Sequence, residues 1–68
     1  MITLIRYSRH ARERMVERGI SSNEVEDAIK TGSKEMQGSK ILHNYRHFTA
    51  VTIRINKDYF VITVMPRC

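Results

Sequence analysis

After a short apolar opening, the spacing of apolar positions along this chain is first helical and then strand-like. Ile2 to Tyr7 is a short apolar opening that reads as an edge strand. From Ser8 onward the period is helical. Ala11 and Met15 are one turn apart in an otherwise charged segment, Ser8 supplies an N-cap hydroxyl, and Gly19 ends the helix as its C′ residue. A second start signal follows at once. In Ile20-Ser21-Ser22-Asn23-Glu24-Val25 a Ser-x-x-Glu capping box coincides with an Ile20/Val25 hydrophobic staple. This predicts a helix from Ser22 to about Lys30, with Val25, Ala28 and Ile29 on one stripe and Gly32 closing it.

Beyond Gly32 the period becomes two. Lys40 to Arg46 and Phe48 to Ile55 alternate; in the second, Val51, Ile53 and Ile55 share one face while Thr52 and Arg54 take the other. The turn Asn56-Lys57-Asp58 leads into Tyr59 to Met65, apolar on both faces and therefore expected to be a central strand that Pro66 ends. The expected fold is a single α+β domain over residues 1–68. In it an N-terminal helical hairpin packs on one face of a three- to four-stranded antiparallel sheet.

Length and charge narrow the function. A chain of 68 residues builds only a thin two-layer core. Its site must be a shallow groove or be completed by a second subunit, so homodimerisation stays open. Twelve Lys and Arg against seven Asp and Glu leave a net charge of +5, a field that favours RNA or DNA, an acidic protein or an anionic membrane face. The single cysteine, Cys68, excludes an intramolecular disulfide framework and fits a reducing compartment. No apolar run reaches membrane-spanning length and no signal-peptide pattern opens the chain, so the expectation is a cytoplasmic protein without a membrane partner.

The densest chemistry lies in Ser8 to Gly19, SRHARERMVERG. At helical spacing His10, Arg14 and Arg18 fall at i, i+4 and i+8, a stripe beside the buried pair Ala11 and Met15. One reading is structural: the arginines lay their methylenes over apolar surface and His10 makes one hydrogen bond. The other is a phosphate site, because the planar guanidinium fork matches phosphate oxygens and a histidine one turn away moves a proton near neutral pH.

The run Ser8-Arg9-His10-Ala11-Arg12-Glu13-Arg14-Met15-Val16-Glu17-Arg18-Gly19-Ile20-Ser21, followed by Glu24-Val25 and Ala28-Ile29, closely resembles the opening motif of domain-of-unknown-function family 4258. Tyr59 to Met65 before Pro66 resembles that family's closing strand, so the resemblance spans nearly the whole chain. The family is grouped with the small barnase/colicin/RelE-like toxin fold. That grouping implies two helices before an antiparallel sheet, and a type II toxin-antitoxin ribonuclease or a relative of one. The family's conserved positions map here to His10, Arg14 and Arg18.

Other residues are less concentrated. His43, Tyr45 and His47 share a face if the strand continues through them, but the two histidines would be roughly 13 Å apart with no third ligand, so neither a metal nor another cofactor is implied. They read as exposed polar side chains, or as an acid/base complement leaning over the same groove as His10. If the sheet face opposite the helices is open, Tyr45, Arg46, Arg54 and Thr63 are placed to bind RNA bases and backbone.

The function these features imply is a basic RNA-binding protein acting as a metal-independent endoribonuclease-like toxin, with His10 as proton carrier and Arg14 and Arg18 as electrostatic stabilisers. Its partners would be RNA and an acidic antitoxin protein. The alternative is a non-catalytic module that docks RNA or an acidic protein through the same flank.

Overall fold

The computed structural model describes residues 4–66. Arg67 and the Cys68 thiol lie outside the described residues, as do Ile2 and Thr3 of the opening apolar segment. The element order is β1 (Ile5–Tyr7), α1 (Arg9–Arg18), α2 (Ser22–Thr31), β2 (Ser33–Gln37), β3 (Lys40–Tyr45), β4 (Phe48–Ile55) and β5 (Asp58–Pro66).

Both helices are bounded by the local chemistry expected of them. Ser8 Oγ accepts from the Ala11 amide at 2.9 Å. At the other end Gly19 adopts φ 66°, and the amides of Gly19 and Ile20 return to the carbonyls of Val16 and Met15. That is a Schellman closure, and its hydrophobic partners Met15 and Ile20 are both buried in the core. The capping box of α2 is complete: Glu24 donates its amide to Ser21 Oγ, and Ser21 donates its own to Glu24 Oε1 at 3.1 Å.

The sheet departs from expectation. It has five strands in the order β1-β5-β4-β3-β2, and it is mixed, since β1 runs parallel to β5 while the other pairs are antiparallel. A three- to four-stranded antiparallel sheet is therefore wrong on both count and direction. The added strand β2 (SKEMQ) is exposed at all five positions, so no apolar alternation marks it. Its strand character comes from pairing with β3 across the Gly38-Ser39 turn, where Gly38 takes φ 62°. The helices are also not a hairpin packed on itself. α1 lies on β5, whereas α2 lies on β3 and β4.

β5 is interior, as its two apolar faces imply, and it continues through Pro66, which pairs opposite Phe48. Between Thr52↔Val61 and Val51↔Thr63 its register slips by one residue, leaving Ile62 as a bulge. The slip lets both Val61 and Val64 face the helices, where they join Phe48, Ala50, Ala11, Met15, Ile20, Val25, Ala28 and Ile29 in the core. The alternating set Val51, Ile53 and Ile55 is on the far face, which no helix covers. There Val51 is buried by its neighbours, Ile53 is half-buried and Ile55 is exposed.

Candidate functional site

The α1 stripe is assembled as its spacing implies. Arg14 Nε donates toward His10 Nε2 at 3.4 Å, and Arg14 Nη1 lies 3.7 Å from Glu17 Oε1. His10 and Arg18 are exposed and Arg14 is half-exposed, while Ala11 and Met15 anchor the same helix in the core. The stripe is thus a solvent-facing row on a docked helix. With Nε2 accepting from Arg14, the histidine ring is held beside the guanidinium, and an anion that drew Arg14 away would leave Nε2 open to take a proton.

The residues expected to bind RNA are not gathered on one face. Tyr45 packs against the helix-side core in an edge contact with Phe48, ring centroids 5.9 Å apart. Arg46 sits in the two-residue turn to β4 at φ 48°, its guanidinium 5.2 Å from the Tyr45 ring. Arg54 is at the other end of β4, 4.9 Å above the ring of Tyr59. Thr63 pairs opposite Val51 and so belongs to the uncovered face.

His43 and His47 are also separated. β3 ends at Tyr45, so His47 lies in the turn rather than on the strand, with its ring against Phe48 at 5.6 Å. It faces Glu24 at the α2 N-terminus. Glu24 titrates below the usual carboxylate range, chiefly because its carboxylate accepts the Ser21 amide, with the nearby His47 and Arg46 charges adding to the effect.

His43 is fully buried rather than exposed. Its Nε2 lies 2.9 Å from Thr52 Oγ1, its ring meets Tyr59 edge-on at 5.8 Å, and its Nδ1 has no partner among the described residues. Burial lowers its pKa from 6.5 to about 4, with the Lys34 ammonium acting in the same direction. It is neutral at pH 7 and withdrawn from solvent, so it cannot lean over the groove beside His10. Nothing in the sequence distinguishes it from an exposed strand histidine, because its burial follows from the pairing of β3 with β4.

A second buried group, the Tyr7 hydroxyl, also lacks a partner among the described residues, and its pKa is raised by burial and by Glu26, against a lowering by Arg12. Among the described residues no three His, Cys, Asp or Glu side chains are grouped to hold a metal. No helix there is long and apolar enough to cross a membrane.

The pattern of DUF4258, a domain of unknown function, matches residues 7–66. In fold the chain is similar to a chain in the crystal structure of the RelBE2 toxin-antitoxin complex from Mycobacterium tuberculosis. The TM-score is 0.71 at 9% sequence identity, over 98% of this chain and 100% of that one. At that identity the likeness is one of fold. No curated protein matches the chain in sequence.

Proposed function

We propose that this chain, which belongs to the DUF4258 family, is an RNA-binding protein of the toxin type, and that the α1 stripe cleaves RNA without a metal. The observation that carries this reading is the His10–Arg14 pair, a proton carrier in contact with a guanidinium on the open surface of a docked helix. The net charge of +5 and the fold shared with a chain of a toxin-antitoxin complex support it.

In the step this geometry suits, His10 Nε2 takes the proton of a ribose 2′-hydroxyl. The 2′-oxygen bonds to the adjacent phosphorus, the bond from phosphorus to the 5′-oxygen breaks, and the products are a 2′,3′-cyclic phosphate and a 5′-hydroxyl. Arg14 and Arg18 offset the charge that builds on the non-bridging oxygens. The leaving oxygen takes a proton from solvent or from a group supplied by a partner. An acidic antitoxin protein would be the natural partner of so basic a surface, and the reading places the protein in the cytoplasm.

The test is a titration of labelled single-stranded RNA at several salt concentrations, with product analysis by gel. Two or three phosphate contacts give a slope of about −1.5 to −2 in log affinity against log salt. Salt-insensitive binding removes the polyanion reading. Salt-dependent binding without cleavage favours the non-catalytic module, and binding to neither RNA nor DNA leaves an acidic protein as the partner.

A further inference from the structure

Away from α1, the uncovered sheet face carries a cleft at the β4–β5 hairpin, of about 260 Å³, lined by Arg6, Ile55, Asn56, Asp58, Tyr59 and Phe60. The pairing of the strands builds it. Arg6 and Phe60 are direct partners across the parallel β1–β5 pair, Ile55 pairs with Asp58, and Asn56 turns the hairpin at φ 56°.

Its chemistry is divided. Phe60 offers a half-buried aromatic surface, and the exposed Arg6 stands beside it on the edge strand. The Asp58 carboxylate, one oxygen of which accepts the Leu4 amide at 3.2 Å, makes the hairpin end unfavourable for a bare anion. A ligand with a flat uncharged ring and an anionic group to one side fits this division better than inorganic phosphate or an acidic peptide does. The volume lies just under the roughly 300–1,000 Å³ of pockets that enclose whole small-molecule ligands, which suits a single base.

We propose that this cleft is a subsite for one nucleotide of single-stranded RNA, the base stacked on Phe60 and its phosphate held by Arg6. The proposal rests on the RNA-binding reading above, and it adds a contact to the bases that the α1 stripe, which meets phosphates, does not make. Aromatic stacking of this kind is tolerant of sequence. The subsite therefore raises affinity for unpaired RNA without selecting a particular base.

The experiment compares a short single-stranded RNA with an abasic oligonucleotide of the same length, each titrated against the full chain. The base-bearing strand is expected to bind about tenfold more tightly. Phe60→Leu, which keeps an apolar side chain at the position, should bring the two affinities together while leaving abasic binding unchanged. Arg6→Gln, at an exposed position with nothing to unfold, should weaken both strands alike and lessen the salt slope by about 0.7. Salt-dependent binding of equal strength to both strands, or a base preference undiminished in Phe60→Leu, overturns the subsite and leaves the stripe standing. Failure of the wild-type chain to bind either strand overturns the RNA reading and the subsite with it.

Discussion

Nε2 of His43 lies 2.9 Å from the Thr52 hydroxyl, inside a core where the imidazole has no exposed surface. Thr52 Oγ1 also lies 3.5 Å from the Ile41 carbonyl, and the Nδ1 of His43 is buried without a partner among the described residues. Because the folded chain holds this group near a pKa of about 4 and the unfolded chain near 6.5, the two states bind protons unequally between those values. Above pH 6.5 both are neutral and stability is unaffected by this group. From pH 6.5 down to 4 mainly the unfolded chain takes the proton, and stability falls by about 3 kcal/mol. Denaturant unfolding of wild type and His43→Leu across this range checks it. The wild type should lose the extra stability on acidification, and the variant, whatever its own starting stability, should have the flatter profile.

The α1 stripe separates folding from activity. The polar contacts of Arg14 among the described residues are with His10 and Glu17, both on the helix surface, and such pairs contribute a few tenths of a kcal/mol. His10→Ala and Arg14→Lys should leave the melting temperature within about 2 °C of wild type. RNA cleavage should fall at least tenfold in both. Arg14→Lys is the sharper probe, because it keeps the charge and loses the planar fork. A stable His10→Ala protein with undiminished cleavage eliminates His10 as proton carrier.

Two glycines should respond to alanine in opposite proportion to their backbone angles. Gly19 has φ 66° with open space where a Cβ would stand, so Gly19→Ala should cost about 1 kcal/mol of left-handed strain. Gly32 is in ordinary extended backbone, at φ −69°. A Cβ there would sit 2.5 Å from the Ala28 carbonyl oxygen and 2.7 Å from that of Asn44. Both obstacles are backbone, one at the end of α2 and one on β3, so Gly32→Ala must move the helix off the sheet. Its loss should exceed that of Gly19→Ala by about 1–2 kcal/mol in the same unfolding assay.

Ser8 and Ser21 are both N-caps, yet removing them should not be equivalent. The Ser8 hydroxyl accepts from the Ala11 amide and also donates to the Ile62 carbonyl at 2.6 Å, on the bulge of β5. Ser21 serves only its own helix, at an exposed position. Ser21→Ala should therefore cost about 1 kcal/mol and Ser8→Ala about 2 kcal/mol, since the second change also leaves a part-buried carbonyl unpaired. Thermal melts of the two variants decide it; equal losses would show that the Ile62 contact contributes nothing.

What the sequence made legible follows the range of the interactions involved. Ser8, Gly19, Ser21 with Glu24, and the row His10, Arg14, Arg18 are specified within one or two turns of chain, and each is where its spacing put it. The sheet is specified by pairing at a distance. β2 has no apolar pattern because both of its faces meet solvent, and nothing near Ile5 announces that its neighbour is Tyr59. The alternation of Val51, Ile53 and Ile55 was legible as a strand, yet it marks the uncovered face; the helices took the side bearing Phe48 and Ala50. The cleft shares this history, since Arg6 and Phe60 meet only through the β1–β5 register.

That register also sets when the molecule can be complete. β1 finds its partner 54 positions later, and α1 makes its main contact with the same late strand, so both depend on Asp58 to Pro66 for their seat. Residues 22–55, by contrast, pair β2, β3 and β4 beneath α2 through partners that lie nearer in sequence. Without β5 the arginine-rich helix is too short to hold its shape alone. A chain cut short before β5 would carry the same arginines without the strand that seats their helix.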